Sequence, residues 1–242
     1  MTIKRVLEVC AFNIQSCLVA EKAGAVRVEL CDNPVEGGTT PSYGTIRQAR
    51  EKINILLYPI IRPRSGNYYY NDDEYAIIRH DIAISRELGC NGISVGAQNI
   101  DATINKDMMK RIVEWAGPMG VTCNRAFDGT PDPFQALEDI IEAGCERVLT
   151  SGQASAAPDA ADLLGKLVQQ AAGRIIIMPG AGVKSGNIRQ LATVSGATEF
   201  HSSARAVAPN PQSFINKRVT DYGSVYISEE SEVRKMIENI SF

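Results

Sequence analysis

The sequence predicts a (β/α)₈ barrel in one domain, and three observations carry that prediction. Eight short apolar runs alternate with helix-like stretches, and alternating β and α elements point to a parallel sheet. Four of the runs share one local pattern: AGAVRVELC (23–31), LGCNGISVG (88–96), AGCERVLTSG (143–152) and SGATEFHSS (195–203). A longer repeat relates AFNIQSCLVAEKAGAVRVELC to AFDGTPDPFQALEDIIEAGCERVLTSG, half a barrel apart. An open doubly wound sheet is the competing architecture. The first βα turn has no G-x-G-x-x-G, which weighs against its dinucleotide-binding form.

Taken in order, the first strand is RVLEVCA (5–11), followed by the helix-like SCLVAEKA and the second strand in 23–31. The third is ILLYPIIR (55–62), leading to YAIIRHDIAISREL and the fourth strand in 88–96. The fifth is GVTCNRAF (120–127), leading to PFQALEDIIEA and the sixth strand in 143–152. The seventh is RIIIMPGAG (174–182), leading to GNIRQLATV and the eighth strand in 195–203. Gly24, Gly89, Gly144 and Gly196 each follow a helix-like stretch, where a C-cap needs positive φ. A barrel over 1–208 and an extension over 209–242 are expected. In that extension Val233, Met236, Ile237 and Ile240 have helical spacing.

The 242 residues are 44% hydrophobic and 22% charged, so a core forms without metal or disulfide staples. A net charge of −3 offers no basic field to nucleic acid or acidic membranes. No apolar run reaches the ~18 residues of a membrane span. The opening MTIKRVLEVCAF lacks the apolar region and cleavage site of a signal peptide, so a cytoplasmic location is expected. The six cysteines have no zinc-type spacing and are expected to be free thiols. Cys90 and Cys145 occupy matching positions before their strands and read as structural. His80 reads as a surface helix residue.

Strand residues point alternately to the helices and to the barrel axis. With Leu7, Val9, Val28 and Leu30 facing the helices, Glu8, Cys10, Glu29 and Cys31 face inward. By the same logic Ser94, Gly96, Leu149, Ser151, His201 and Ser203 face inward, and Arg62 and Arg125 are expected to do so at the ends of their strands. Barrel interiors are usually Val, Ile and Leu. Two inward glutamates therefore need partners, and Arg62 and Arg125 are the expected ones. A purely structural ion-pair network is an equally open reading.

Eight motifs in order, LEVCA, RVELC, EGGTTPS, IRPRSG, NRAFD, RVLTSG, IMPGAG and EFHSSA, resemble the copper homeostasis protein CutC family from about residue 6 to 208. The resemblance implies a TIM barrel in cytosolic copper handling. It also implies Cu(I) ligation by Cys10 and Cys31, from the EVC and ELC motifs. Where the family reads His-Arg-Ala-Phe-Asp, this chain has Asn124, and Arg125 and Asp128 are kept.

Cu(I) is soft and prefers thiolate, and two cysteines on adjacent strands can share one ion. An enzyme reading uses the same barrel mouth. Its catalytic candidates are Glu8, Glu29, Arg62, Arg125 and His201. Arg64, Asp128, Ser151, Gly180, Gly182, Ser203 and Arg205 are candidates for holding a small anionic or phosphorylated substrate. Lyase, isomerase and hydrolase chemistry all fit such a set. The expected partners are a copper ion or a small anion, with no nucleotide cofactor. A homo-oligomer, dimer or tetramer, is expected.

Overall fold

A computed structural model describes residues 4–218 and 223–242. Eight parallel strands form a ring: β1 (Val6–Ala11), β2 (Arg27–Leu30), β3 (Leu56–Ile61), β4 (Gly92–Val95), β5 (Gly120–Cys123), β6 (Arg147–Thr150), β7 (Ile176–Pro179) and β8 (Glu199–Ser202). Their hydrogen-bonded order is β7-β6-β5-β4-β3-β2-β1-β8. β7 packs beside β8 and nearly closes the barrel. The strand-helix alternation in the sequence is therefore a (β/α)₈ barrel.

The outer ring holds α1 (Ile14–Ala23), α2 (Tyr43–Lys52), α3 (Asp72–Glu87), α4 (Lys106–Ala116), α5 (Pro133–Ala143), α6 (Ala161–Ala171), α7 (Ser185–Ser195) and α8 (Glu230–Ile240). Asparagine, serine and aspartate start five of them. The side chains of Asn13, Ser42, Asn71, Asn105 and Asp132 each accept a backbone N–H of the first turn. Gly24, Gly89, Gly144 and Gly196 all have positive φ, as the repeat requires. The segment after residue 208 supplies the eighth helix of the ring. α8 packs on α7, α1 and β1. Before it, a short antiparallel pair, β9 (Arg205–Val207) with β10 (Tyr226–Ser228), stands at the C-terminal end of the barrel.

The core lies between sheet and helices. Leu7, Val9, Val28 and Leu30 are buried there with Ile46, Ile78, Met109, Leu137 and Phe200. Each large side chain buried this way contributes about 1.5–3 kcal/mol. Cys10, Cys31 and Ile60 form a separate small cluster with Phe12, on the opposite face of the strands. The alternation read from sequence thus assigns strands β1 and β2 to the correct faces.

Two features of the barrel correct the sequence reading. The fifth strand stops at Cys123 and does not run to residue 127. Asn124 turns the chain by accepting the Ala126 N–H (3.0 Å), and Arg125–Gly129 form a 3₁₀ turn. Arg125 is carried to a half-exposed position at the rim. The second correction concerns register. Closing a barrel staggers its strands. Glu8 lies beside Arg27 of β2 and His201 of β8, whereas Cys10 lies beside Glu29. The two Glu-x-Cys motifs are therefore offset by two residues, which sets Arg27, and neither Arg62 nor Arg125, beside Glu8.

Candidate functional site

The stagger decides which side chains meet. Glu8 is buried and bonded on both oxygens: Oε2 accepts from Arg27 Nε, and Oε1 meets His201 Nδ1 at 2.7 Å. Arg27 also donates to Glu199 Oε2 (2.6 Å), and Arg147 donates to Glu199 (2.7 Å) and to Glu146 (2.7 Å). Tyr58 completes this lower layer. Its hydroxyl donates to Glu146 (2.7 Å), and its ring lies 5.2 Å from Arg27 Cζ and 5.8 Å from Arg147 Cζ. The partners expected for the interior glutamates, Arg62 and Arg125, are not the ones used. Arg62 donates to the carbonyls of Glu36, Gly38 and Gly66, and Arg125 pairs with Asp128 and Ser151. Arg27, Arg147 and Glu199 escaped the sequence reading, although alternation from Val28, Val148 and Phe200 places all three inward.

Above this layer sit two thiols. Cys10 Sγ and Cys31 Sγ are 3.7 Å apart and buried, with no disulfide between them. Cys31 Sγ lies 3.5 Å from Glu29 Oε2, and the ligand atoms of Cys10, Glu29 and Cys31 all lie within 4.8 Å of one another. His201 bridges the levels, with Nδ1 on Glu8 and Nε2 3.7 Å from Glu29. Its position depends on Gly180 at the top of β7, where a Cβ would sit 2.4 Å from Leu149 Cδ1 and 3.2 Å from the His201 ring.

The electrostatics follow from this packing. Burial pushes the Glu8 carboxyl up, but Arg27, and after it His201, outweigh burial and hold it at about 2. Burial alone would lower the His201 imidazole. Hydrogen bonds to Cys10 and Glu8 and the charges of Glu29 and Glu8 raise it well above its ordinary value. The Cys31 hydrogen bond is the largest influence on the Cys10 thiol and lowers it, helped by His201 and opposed by burial and Glu29. Burial raises the Cys31 thiol well above its ordinary value, and Cys10 and Glu29 add to that. The two thiols of the pair are thus shifted in opposite directions.

The site opens upward into a cavity of about 1220 Å³ at the C-terminal end of the barrel. Cys10, Glu29 and His201 line it, as do Arg62, Arg125, Gly182, Ser203 and Arg205 among the sequence candidates. Others stand apart from that wall. Arg64 pairs with Glu74 and ties the β3–α3 loop through the carbonyls of Ser65, Asn67 and Tyr69. The Asp128 carboxylate takes the Thr150 hydroxyl (2.5 Å) and the Ser151 N–H (3.0 Å), anchoring the turn after β6. Ser151 donates its hydroxyl to Asp128 or the Ala154 carbonyl. The Gly180 N–H is used in the sheet, on Thr150 O (2.9 Å). The N-terminus of α7, which follows the turn that carries Gly180 and Gly182, already holds a carboxylate: Glu232 of α8 accepts the Ser185 N–H (2.7 Å) and hydroxyl (2.8 Å). No sequence periodicity announces that contact, because it joins residues 47 positions apart.

Residues 5–206 match the model of the CutC family. A CutC family protein of Chromobacterium violaceum is 50% identical over 201 residues, spanning 83% of this chain and 81% of its own length. One from Parabacteroides distasonis is 47% identical, spanning 95% of this chain and 94% of its own. The crystal structure of CutC from Streptococcus agalactiae superposes with a TM-score of 0.79 at 30% identity, covering 82% of this chain and 98% of that one. N-(5'-phosphoribosyl)anthranilate isomerase from Pyrococcus furiosus, 14% identical with a TM-score of 0.59 over 98% of both chains, shares the fold alone.

Proposed function

The chain belongs to the CutC family of copper homeostasis proteins, and from that premise we propose that it binds Cu(I) through Cys10 and Cys31 in cytosolic copper trafficking or tolerance. The observation that carries this reading is the pair of buried sulfurs 3.7 Å apart and free of a disulfide, with Cys10 lining an open cavity. Two metal–thiolate bonds of about 2.3 Å, the length at zinc, span that separation from a single ion. A soft monovalent cation suits two thiolates and has little use for the hard oxygen of Glu29. Both thiols would bind as thiolates, so uptake of the ion releases protons, and the lowered Cys10 thiol is the easier of the two to deprotonate. His201 lies beside them with its imidazole raised well above the ordinary value, which favours the cationic form that would offset thiolate charge.

Anaerobic titration with Cu(I) against a strong chromophoric competitor tests this. Cys10→Ser and Cys31→Ser are each expected to weaken binding by more than about 100-fold. Cys17→Ser, a buried thiol in α1 outside the barrel, is expected to leave it unchanged. Parental affinity in both barrel variants would reject the reading.

A second reading is acid–base chemistry on a small anion, as in a lyase, isomerase or hydrolase. It is favoured by His201 lying between Glu8 and Glu29 beneath a cavity larger than the 300–1,000 Å³ usual for small ligands. It ranks second because both Glu8 oxygens are already engaged.

A further inference from the structure

Two buried residues on the β3–β5 side of the mouth carry hydrogen-bond donors that no acceptor among the described residues meets. They are Arg62 Nε and Asn124 Nδ2, on side chains only 4% and 2% exposed, and both residues line the cavity. The orientation of the Asn124 amide is fixed. Its Oδ1 accepts the Ala126 N–H at 3.0 Å, so Nδ2 is left as a donor. Gly96 leaves room for it, since a Cβ there would lie 2.4 Å from Oδ1.

Arg62 is a buried cation without a carboxylate partner among the described residues. Its Nη1 donates to Glu36 O and Gly38 O (2.8 Å each), its Nη2 to Gly66 O (2.6 Å), and the Tyr68 ring lies 4.8 Å from Cζ. Carbonyl dipoles satisfy three of its five N–H groups and none of its charge. Unpaired buried donors and an uncompensated buried charge are both costly. Both free groups are donors, so the missing partner is an acceptor, and the charge makes it an anion. Lys184 and Arg205 face the same cavity and also lack carboxylate partners among the described residues. The acids that share the cavity wall are engaged or solvated: Glu29 lies against His201, Glu232 caps α7, and Glu36 and Glu229 are exposed.

We propose that this side of the mouth binds a small organic anion, with one carboxylate or phosphate oxygen taking the free protons of Asn124 and Arg62. The site goes beyond the copper reading: it uses neither sulfur and stands whether or not copper binds. Lys184 and Arg205 supply long-range attraction from the rim, and a cavity of about 1220 Å³ holds the body of the ligand. Asn124 supplies a donor that does not titrate.

The test follows the two side chains directly. The ¹⁵N-labelled full-length chain is titrated with succinate, citrate and glycerol 3-phosphate, with sodium chloride as the ionic-strength control. The Asn124 Nδ2 and Arg62 Nε signals are read by heteronuclear NMR. At least one organic anion is expected to shift both signals saturably, and the three arms separate carboxylate from phosphate recognition. Asn124→Asp keeps the acceptor for Ala126 but offers no donor. It is expected to weaken binding by about 10- to 100-fold. The Cys10→Ser/Cys31→Ser double variant is expected to bind as the parent does. The proposal is overturned if none of the three anions moves either signal, which leaves water as the only partner. It is equally overturned if Asn124→Asp binds as tightly as the parent, or if the double variant loses binding. Should Asn124→Asp not fold, the parental titration decides alone.

Discussion

The floor and the mouth of this barrel use the same kinds of residue to opposite ends. On the floor, Glu8, Arg27, Glu199 and Arg147 form a chain in which each charge meets an opposite one. At the mouth, two thiols lie together without a disulfide, and two buried donors have no acceptor among the described residues. A satisfied polar network holds a structure in place, and an unsatisfied one at the base of a cavity marks where something else is to bind. Both regions come from the same inward-facing strand positions, two or three residues apart. Polarity inside a barrel therefore does not by itself mark a site. The difference lies in whether partners are supplied from within.

The sharpest way to break that division is Arg27→Ala. It leaves Glu8 with only His201 and Glu199 with only Arg147, and should cost about 3–5 kcal/mol in urea unfolding. A cost no larger than that of the mouth substitutions would erase the distinction between the two regions.

Acidity probes the floor next. The Glu8 carboxyl is held at about 2, against an ordinary 4.5. Its contribution is present above the ordinary value and lost as pH falls from there through about 2. That contribution is on the order of 3 kcal/mol. Glu8→Gln should flatten this acid limb. His201 has the opposite sign: raised well above 6.5, it contributes fully below that value and less as pH rises through its folded pKa. His201→Gln should flatten the alkaline limb of the same stability curve and also shrink the acid limb, because His201 is one of the two partners that hold the Glu8 carboxyl low.

Cys10→Ser and Cys31→Ser should shift stability by only about 1 kcal/mol while removing copper affinity. The smallest effect is expected at the rim. Arg205 is exposed, its side chain donates to the Pro34 carbonyl and to no other acceptor among the described residues, and it lies over Tyr226. Arg205→Ala should change thermal stability by less than about 0.5 kcal/mol.

Much of this was legible in the chain. Four glycines after helices, eight strand-like runs and simple alternation identified the barrel and the inward faces of β1 and β2. The family motifs pointed to Cys10 and Cys31. What alternation cannot supply is the stagger between strands, and the stagger chooses partners. It set Arg27, not Arg62 or Arg125, beside Glu8. Arg27, Arg147 and Glu199 were readable as inward but sit at strand starts, where charged residues look like ordinary strand ends. Arg125 was misplaced because one side-chain hydrogen bond from Asn124 ends β5 early. The Glu232 cap on α7 depends on how α8 docks, which no local pattern encodes.

The central claim is that the two sulfurs at the mouth take one soft ion together. X-ray absorption at the copper edge, on the full-length chain loaded anaerobically with one equivalent of Cu(I), addresses it most directly. The geometry predicts a first shell dominated by two sulfurs that is lost in the Cys10→Ser/Cys31→Ser variant. A shell of nitrogen and oxygen, or a sulfur shell unchanged in that variant, would contradict it.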